Sequence, residues 1–326
     1  MRSWRASRRD SQDIGLVPTM GALHKGHLAL MEAAARENRD VVVSVFVNPA
    51  QFGVGEDLES YPVTWERDAA VLAKTDGELE AGGSAGRIAA VFAPDTGVMY
   101  PEGEPGREQG STGTFVTVTP LATMLEGQSR PTFFRGVATV CTKLFNIIAP
   151  RRVYLGQKDV QQTVVLRRMV RDLMMPIDIV VCPTVRDEDG LALSSRNVYL
   201  GPRRRRLAVA ALTSALRAAS EAYEAGAGTR EGILGPAHGV VSSVKEKQAA
   251  LAADESSDFV VQYLSLADPD TLDEVEVVDG DRGAVLSGAM ILPRLRRVAK
   301  GEDVGYAGGP SVRLIDNIIL KPRSNY

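Results

Sequence analysis

Val17–Leu28 reads VPTMGALHKGHL. A short apolar run enters a Pro-Thr-Met-Gly turn, and a helical pattern starts immediately after it. Two of the chain's three histidines, His24 and His27, stand here with Gly26 between them. Strand, glycine turn and helix start together form the corner with which an open α/β sheet holds a phosphate. Unpaired backbone N–H groups point out of the helix N-terminus, and the dipole favours an anion there. Imidazoles at that corner add hydrogen-bond donors where charge develops on a phosphate. The spacing leaves two other uses open, a polar helix cap and metal ligation. Zinc is the weaker of these, because the motif has no nearby Cys or carboxylate ligand set.

The same arrangement recurs downstream. Val41–Val47, VVVSVFV, suits a parallel strand buried on both faces. It ends in Asn48-Pro49-Ala50-Gln51-Phe52, on the side where open sheets bind ligands. Val153–Leu155 leads into Gly156-Gln157-Lys158-Asp159, then a helix over Val160–Leu173 and a strand over Ile177–Val181. The alternation predicts a doubly wound, Rossmann-like parallel α/β sheet. Lys158 can neutralise phosphate charge, and Asp159 can hydrogen-bond a ribose or position the lysine. Strands are also expected at Ile14–Val17, Val91–Phe92 and Phe115–Val118. Further helices fall in His27–Asn38, Gly136–Ile148 and the latter part of Leu58–Ala73, where Trp65, Ala69 and Leu72 share a face. Residues 76–86 and 102–113, rich in glycine and charge, read as mobile surface insertions.

After Pro183 the texture changes. Leu193-Ser194-Ser195-Arg196-Asn197 puts two hydroxyls and a guanidinium on a loop, which suits a clamp on polyphosphate oxygens. The same residues also make an ordinary turn. Helices over Arg204–Ala225 and Val240–Ala252 and strands over Phe259–Leu266, Ala284–Leu292 and Val312–Ile315 predict a smaller α+β domain. Loops are expected at 226–235 and 294–310. The expected division is residues 1–184 and 185–326.

With 326 residues, a net charge of −3 and 44% hydrophobic residues, the chain has a globular composition without general attraction to nucleic acid or anionic membranes. No apolar run approaches the ~20 residues of a membrane span. Cys141 and Cys182 lie in apolar surroundings and read as reduced core residues of an intracellular protein. The basic run Arg203–Arg206 reads as a solvated first helical turn. The basic N-terminus reads as a helix end before the first strand rather than a transit peptide.

The stretches PTMGALHKGH, VSVFVNPAQF, DLESYPVTWERD, MLEGQSRPTFFRGV, YLGQKDVQQ and DGLALSSRN, with RLIDN at Arg313–Asn317, together resemble the pantothenate synthetase (pantoate–β-alanine ligase) family. That family is an adenylate-forming branch of the HxGH nucleotidyltransferases. The resemblance implies two steps. Pantoate attacks ATP to give pantoyl adenylate and pyrophosphate, and β-alanine then displaces AMP. It implies catalytic roles for His24, His27, Lys158, Ser194, Ser195 and Arg196. It implies ATP contacts from those residues and from Met20, Gly21, Gly26, Gly156, Asp159, Val185 and Leu193. Gln51 and Gln162 match the pantoate pair, with Gln51 also near β-alanine. Asn48, Tyr61 and Arg130 match positions lining the same cavity. Mg²⁺ is implied on the ATP phosphates with no direct side-chain ligands. A homodimer, a cytoplasmic location and a C-terminal lid are implied as well. Gln157, Leu193 and Pro131-Thr132-Phe133-Phe134 depart from the commonest family pattern without removing a residue assigned to chemistry. Two rival readings are a nucleotidyltransferase that makes a stable conjugate and a non-catalytic scaffold. The scaffold predicts loss of a key group, yet all six catalytic candidates are present.

Overall fold

The computed structural model describes residues 1–7, 13–106 and 112–323. The chain divides into two compact units, Met1–Val185 and Arg186–Tyr326. The first contains α1 (Arg2–Ala6), β1 (Ile14–Thr19), α2 (Lys25–Glu37), β2 (Asp40–Val45), α3 (Trp65–Ala81), β3 (Arg87–Phe92), α4 (Thr96–Met99), α5 (Glu126–Ser129), α6 (Phe133–Ile148), β4 (Arg152–Gly156), α7 (Val160–Asp172) and β5 (Asp178–Cys182). Five strands form one sheet in the order β3-β2-β1-β4-β5, and every pairing is parallel. The chain therefore steps outward from β1 in one direction, returns, and steps outward in the other. Such a reversal opens a crevice at the carboxyl ends of the two central strands, here β1 and β4. Ile14, Leu16, Val17, Val41, Val42 and Val43 are fully buried. That burial explains why these strands show apolar runs rather than alternation: helices cover both faces. Leu30, Met31 and Ala34 of α2 pack with Val17, Val43 and Leu72 in one cluster.

Several expectations are corrected. The insertion read at 76–86 is helical as far as Ala81, because Asp68, Leu72, Thr75 and Leu79 repeat at helical spacing on the buried face of α3. Within it, the Asp76 carboxylate accepts from Arg87 Nε at 2.8 Å and from the Ile88 N–H at 2.9 Å, which ties α3 to β3. Trp65, expected to share a face with Ala69 and Leu72, is 48% exposed, whereas Leu72 is buried. Phe115–Val118 forms no strand. The Val116 N–H is instead taken by Thr139 Oγ1 of α6 at 3.0 Å, so this segment docks on a helix. Of the second proposed mobile segment, residues 107–111 lie outside the described residues, as do residues 8–12 of the N-terminus.

The second unit contains α8 (Pro202–Ala208), a π turn (Val209–Thr213) running straight into α9 (Ser214–Glu224), and α10 (Arg230–Ala249). Strands β6 (Val260–Ala267), β7 (Ala284–Leu292) and β8 (Val312–Leu320) form an antiparallel sheet in the order β6-β7-β8. Tyr199, Leu212, Leu216, Ile233, Leu286 and Met290 share its core. Helix α10 begins inside the stretch read as a loop. Thr229 caps it by accepting the Gly232 N–H at 3.2 Å, and Ile233, Leu234 and Ala237 are buried, which outweighs the glycines and Pro236.

The basic run is not a solvated turn. Arg204 is 1% exposed and donates to the carbonyl oxygens of Tyr199, Leu292, Gly309 and Pro310. Arg203 pairs with Glu302, and Arg205 with Asp187 and Asp189. The irregular segment 293–311 folds over the start of α8, and its inward carbonyls need donors that no sheet supplies. Both cysteines are buried free thiols, and burial pushes Cys141 up to about 12. Among the described residues no helix is long and apolar enough to cross a membrane.

Candidate active site

The turn after β1 is held from three sides. Thr19 Oγ1 donates to the Ser44 carbonyl at 2.8 Å and accepts the Gly21 N–H at 3.3 Å. Gly21 has φ +82°, a conformation that costs a side chain-bearing residue energy. The next two N–H groups, of Ala22 and Leu23, both point at the Asp68 carboxylate, at 2.9 Å each. Asp68 is 1% exposed and also accepts from Thr64 Oγ1 at 3.1 Å. It was not singled out in the sequence, although DLESYPVTWERD contains it; a lone Asp in the first turn of a helix reads as a dipole partner.

The two histidines explain their own spacing. His24 is the N-cap of α2, and its Nδ1 accepts the Gly26 N–H at 3.1 Å. His27, three residues on, accepts the His24 N–H on its Nδ1 at 3.3 Å, completing a reciprocal capping box. The rings lie 4.1 Å apart, centroid to centroid. Backbone N–H groups can only donate, so each Nδ1 is an acceptor and each neutral ring carries its proton on Nε2. Burial lowers His24 to about 4, helped by the Lys158 charge. Burial lowers His27 to about 3, helped by His24 and then Lys158. Both rings are neutral at pH 7. The capping use is therefore compatible with a ligand use: Nδ1 closes the helix and Nε2–H remains a donor.

On the neighbouring strand, β4 ends at Gly156 and a 3₁₀ turn, Gln157–Asp159, starts α7. Lys158 Nζ lies 2.9 Å from Asp159 Oδ1. A Cβ added at Gly156 would meet nothing within 4 Å, so protein packing does not demand the glycine there. Val185 ends the first unit, just past β5, and is half-buried.

A second cluster follows β2. Asn48 is 1% and Gln51 9% exposed, and Asn48 Nδ2 donates to Gln51 Oε1 at 3.0 Å. Arg130 donates to the Gln51 carbonyl at 3.2 Å, pairs with Glu56 through Nε at 2.8 Å, and stacks 3.9 Å from the Phe133 centroid. Tyr61 is buried edge-on to Phe52 at 5.7 Å. Gln162 is half-buried on α7. Its neighbour Gln161, not anticipated, is buried and donates to the Leu121 and Met124 carbonyls while accepting the Glu126 N–H, which fixes 121–126.

Ser194, Ser195 and Arg196 belong to the second unit. Ser194 Oγ accepts the Arg196 N–H at 3.3 Å and caps a 3₁₀ turn, Ser195–Tyr199. Leu193, just before it, is half-buried. Arg186 forks onto Asp316 at 2.6 and 2.9 Å and donates to the Gly190 carbonyl, so RLIDN braces the turn that leads to Ser194. Among the described residues no three or more His, Cys, Asp or Glu side chains gather as a metal site.

A reversing parallel sheet, with one donor cluster after β1 and a lysine after β4, defines the Rossmann-like, nucleotide-binding α/β class. A family model described as Pantoate-beta-alanine ligase matches residues 1–319, and the chain belongs to that family. It is 47% identical over 265 residues to the pantothenate synthetase of Roseiflexus castenholzii, covering 81% of this chain and 84% of that one. It is 46% identical over 294 residues to that of Chloroflexus aggregans, covering 90% and 94%. The crystal structure of pantothenate synthetase from Thermus thermophilus superposes with a TM-score of 0.77 at 40% identity, covering 98% of this chain and 97% of that one. The pantoate-β-alanine ligase of Francisella tularensis, complexed with β-γ ATP and β-alanine, superposes with a TM-score of 0.66 at 28% identity, covering 98% and 94%.

Proposed function

We propose that this ligase joins pantoate to β-alanine through an acyl adenylate formed at the carboxyl ends of β1 and β4. A pantoate carboxylate oxygen attacks the α-phosphorus of ATP, the bond to the bridging oxygen breaks, and pyrophosphate leaves. The amine of β-alanine then attacks the acyl carbon, AMP leaves, and the amine proton passes to solvent. The observation that carries this reading is the pair of neutral imidazoles, each with Nδ1 committed to the backbone, beside a lysine on the adjacent strand end. Two anions must approach each other in the first step. His24 and His27 offer Nε2–H donors to charge developing on phosphate, and Lys158 offers a full positive charge. With its pKa near 3, His27 acts as a donor rather than as a proton-transferring acid.

Met20, Gly21, Gly26, Gly156, Asp159, Val185 and Leu193 complete the ATP contacts in this reading. Ser194, Ser195 and Arg196, two hydroxyls and a guanidinium, contact the polyphosphate in this reading. Gln51 and Gln162 hold pantoate, with Tyr61 and Arg130 at the cavity wall. The donor set around the histidines suits phosphate oxygens rather than a cation, so magnesium would sit on the triphosphate, where it supplies charge neutralisation. The ligands named for the Francisella tularensis enzyme support ATP and β-alanine as substrates. The family resemblance supports a cytoplasmic homodimer.

The test is an assay in which each substrate is omitted in turn. Pyrophosphate appears with ATP and pantoate alone, and AMP follows only when β-alanine is added. Pyrophosphate release without pantoate would instead favour a nucleotidyltransferase that makes a stable conjugate.

A further inference from the structure

Two buried side chains, Tyr100 and Asn48, form with the pantoate glutamine a hydrogen-bonded chain with a fixed polarity. Asn48 Nδ2 lies 3.2 Å from the Gly136 carbonyl, which can only accept, and Asn48 Oδ1 lies 3.4 Å from the Ala50 N–H, which can only donate. The Asn48 amide therefore has one orientation. Tyr100 OH locks it further by donating to Oδ1 at 2.6 Å. Tyr100 is 6% exposed and has Lys143 Nζ 4.0 Å from its ring centroid, with the same ammonium donating to the Met99 carbonyl at 2.6 Å. The remaining Asn48 donor meets Gln51 Oε1 at 3.0 Å. The close approach needs Gly136: a Cβ there would fall 2.2 Å from the Ala50 carbonyl oxygen.

We infer that Tyr100 and Asn48 are positioning residues that hold the Gln51 amide with its oxygen inward, so that Gln51 offers pantoate only the Nε2–H donors. Asn48 then does not contact substrate: its oxygen and its amide hydrogens are committed within the protein. Gln51 reads a hydroxyl or carboxylate oxygen through its Nε2–H donors, while its Oε1 is turned toward Asn48. This inference rests on the proposed function and deepens its pantoate subsite.

The test is calorimetric titration of pantoate into the full chain saturated with a non-hydrolysable ATP analogue, for the unaltered chain, Tyr100→Phe, Gln51→Ala and the double variant. Tyr100→Phe removes one hydroxyl. It is expected to weaken pantoate about three- to tenfold, the worth of one buried hydrogen bond, with ATP-analogue affinity within about twofold. Because Tyr100 acts only through Gln51, the same change in the Gln51→Ala background is expected to have no further effect. Equal losses in both backgrounds, or unaltered pantoate affinity in Tyr100→Phe, would overturn the inference. Should Tyr100→Phe fail to fold, Asn48→Ser, too short to bridge to Gln51, is read by the same cycle. An unaltered chain that binds the ATP analogue but not pantoate would overturn the functional reading itself.

Discussion

The carboxylate of Asp68, on α3, accepts the backbone N–H of Leu23 at 2.9 Å across 45 residues of sequence, and that of Ala22 at the same distance. These are the donors immediately before the His24 cap. The turn that aims both imidazoles is thus set by a helix from the next βα unit. Asp68→Ala leaves the buried Leu23 N–H and the partly buried Ala22 N–H without a partner, at up to about 1–3 kcal/mol each. The expected outcome is a clear loss of stability in urea unfolding and a fall in kcat/KM for ATP of about tenfold or more. Asp68→Asn keeps one acceptor and turns a donor toward the other N–H, so it is expected to lie between the two. Unchanged ATP kinetics in an Asp68→Ala protein that still folds would show that the turn holds its shape without the carboxylate.

The histidines set a pH window. Their folded pKa values, about 4 for His24 and about 3 for His27, lie below the ordinary 6.5 because burial disfavours the charged ring. Between those values the unfolded chain binds more protons than the folded one. The stability they allow is complete above about pH 6.5 and is lost as pH falls toward 4 and then 3. Nitrogen-15 NMR of the ligand-free protein is expected to show both rings as Nε2–H tautomers at pH 7, without titration near 6.5. A ring that protonates near 6.5, or carries its proton on Nδ1, would contradict the capping geometry.

Lys158 stands on a 3₁₀ turn with no fully buried residue and pairs with Asp159, so its removal is expected to separate chemistry from folding. Lys158→Ala is expected to lower pantoate-dependent pyrophosphate release about a hundredfold or more, the scale of losing one preorganised charge contact to the transition state. The thermal unfolding midpoint should stay close to that of the unaltered chain. Near-normal pyrophosphate release would remove Lys158 from the mechanism.

What could be read from the sequence followed the range of the forces involved. Val41–Val43 announced a strand covered on both faces, and the glycine turns announced strand ends, because those signals are local. The His-x-Gly-His spacing was legible as a cap or as a ligand pair, and the capping box shows that the motif performs the first without spending Nε2. Asp68 and Gln161 were not legible. Each satisfies backbone groups 35 or more positions away, and nothing in a window of helical residues marks that. Phe115–Val118 has strand composition, yet its Val116 N–H was claimed by Thr139 rather than by a neighbouring strand. The run RRRR looked solvated for the same reason: the carbonyls that claim Arg204 come from 88 to 106 residues away as well as from Tyr199.

Arg204 carries the last prediction. Its guanidinium is buried without a carboxylate partner among the described residues, and burial pulls its pKa down. The four carbonyl oxygens take up charge-assisted bonds from its two terminal nitrogens, while the buried Nε–H has no partner among the described residues. One of these is the carbonyl of Tyr199, the last residue of the 3₁₀ turn that Ser194 caps. The others belong to Leu292 at the end of β7 and to Gly309 and Pro310 just before β8, so a single side chain ties the serine-arginine turn to the second sheet. Arg204→Met keeps much of the volume but leaves inward carbonyls without donors, and is expected to destabilise the protein by about 3–5 kcal/mol. Arg204→Lys keeps a charge but lacks the planar fork that reaches several carbonyls at once, so it is expected to recover only part of that loss. Arg206, exposed on the same turn, is the control: Arg206→Met is expected to fall within about 0.5 kcal/mol of the unaltered chain. Urea unfolding of the three variants separates a buried anchor from a solvated basic run, and equal effects at positions 204 and 206 would restore the solvated reading.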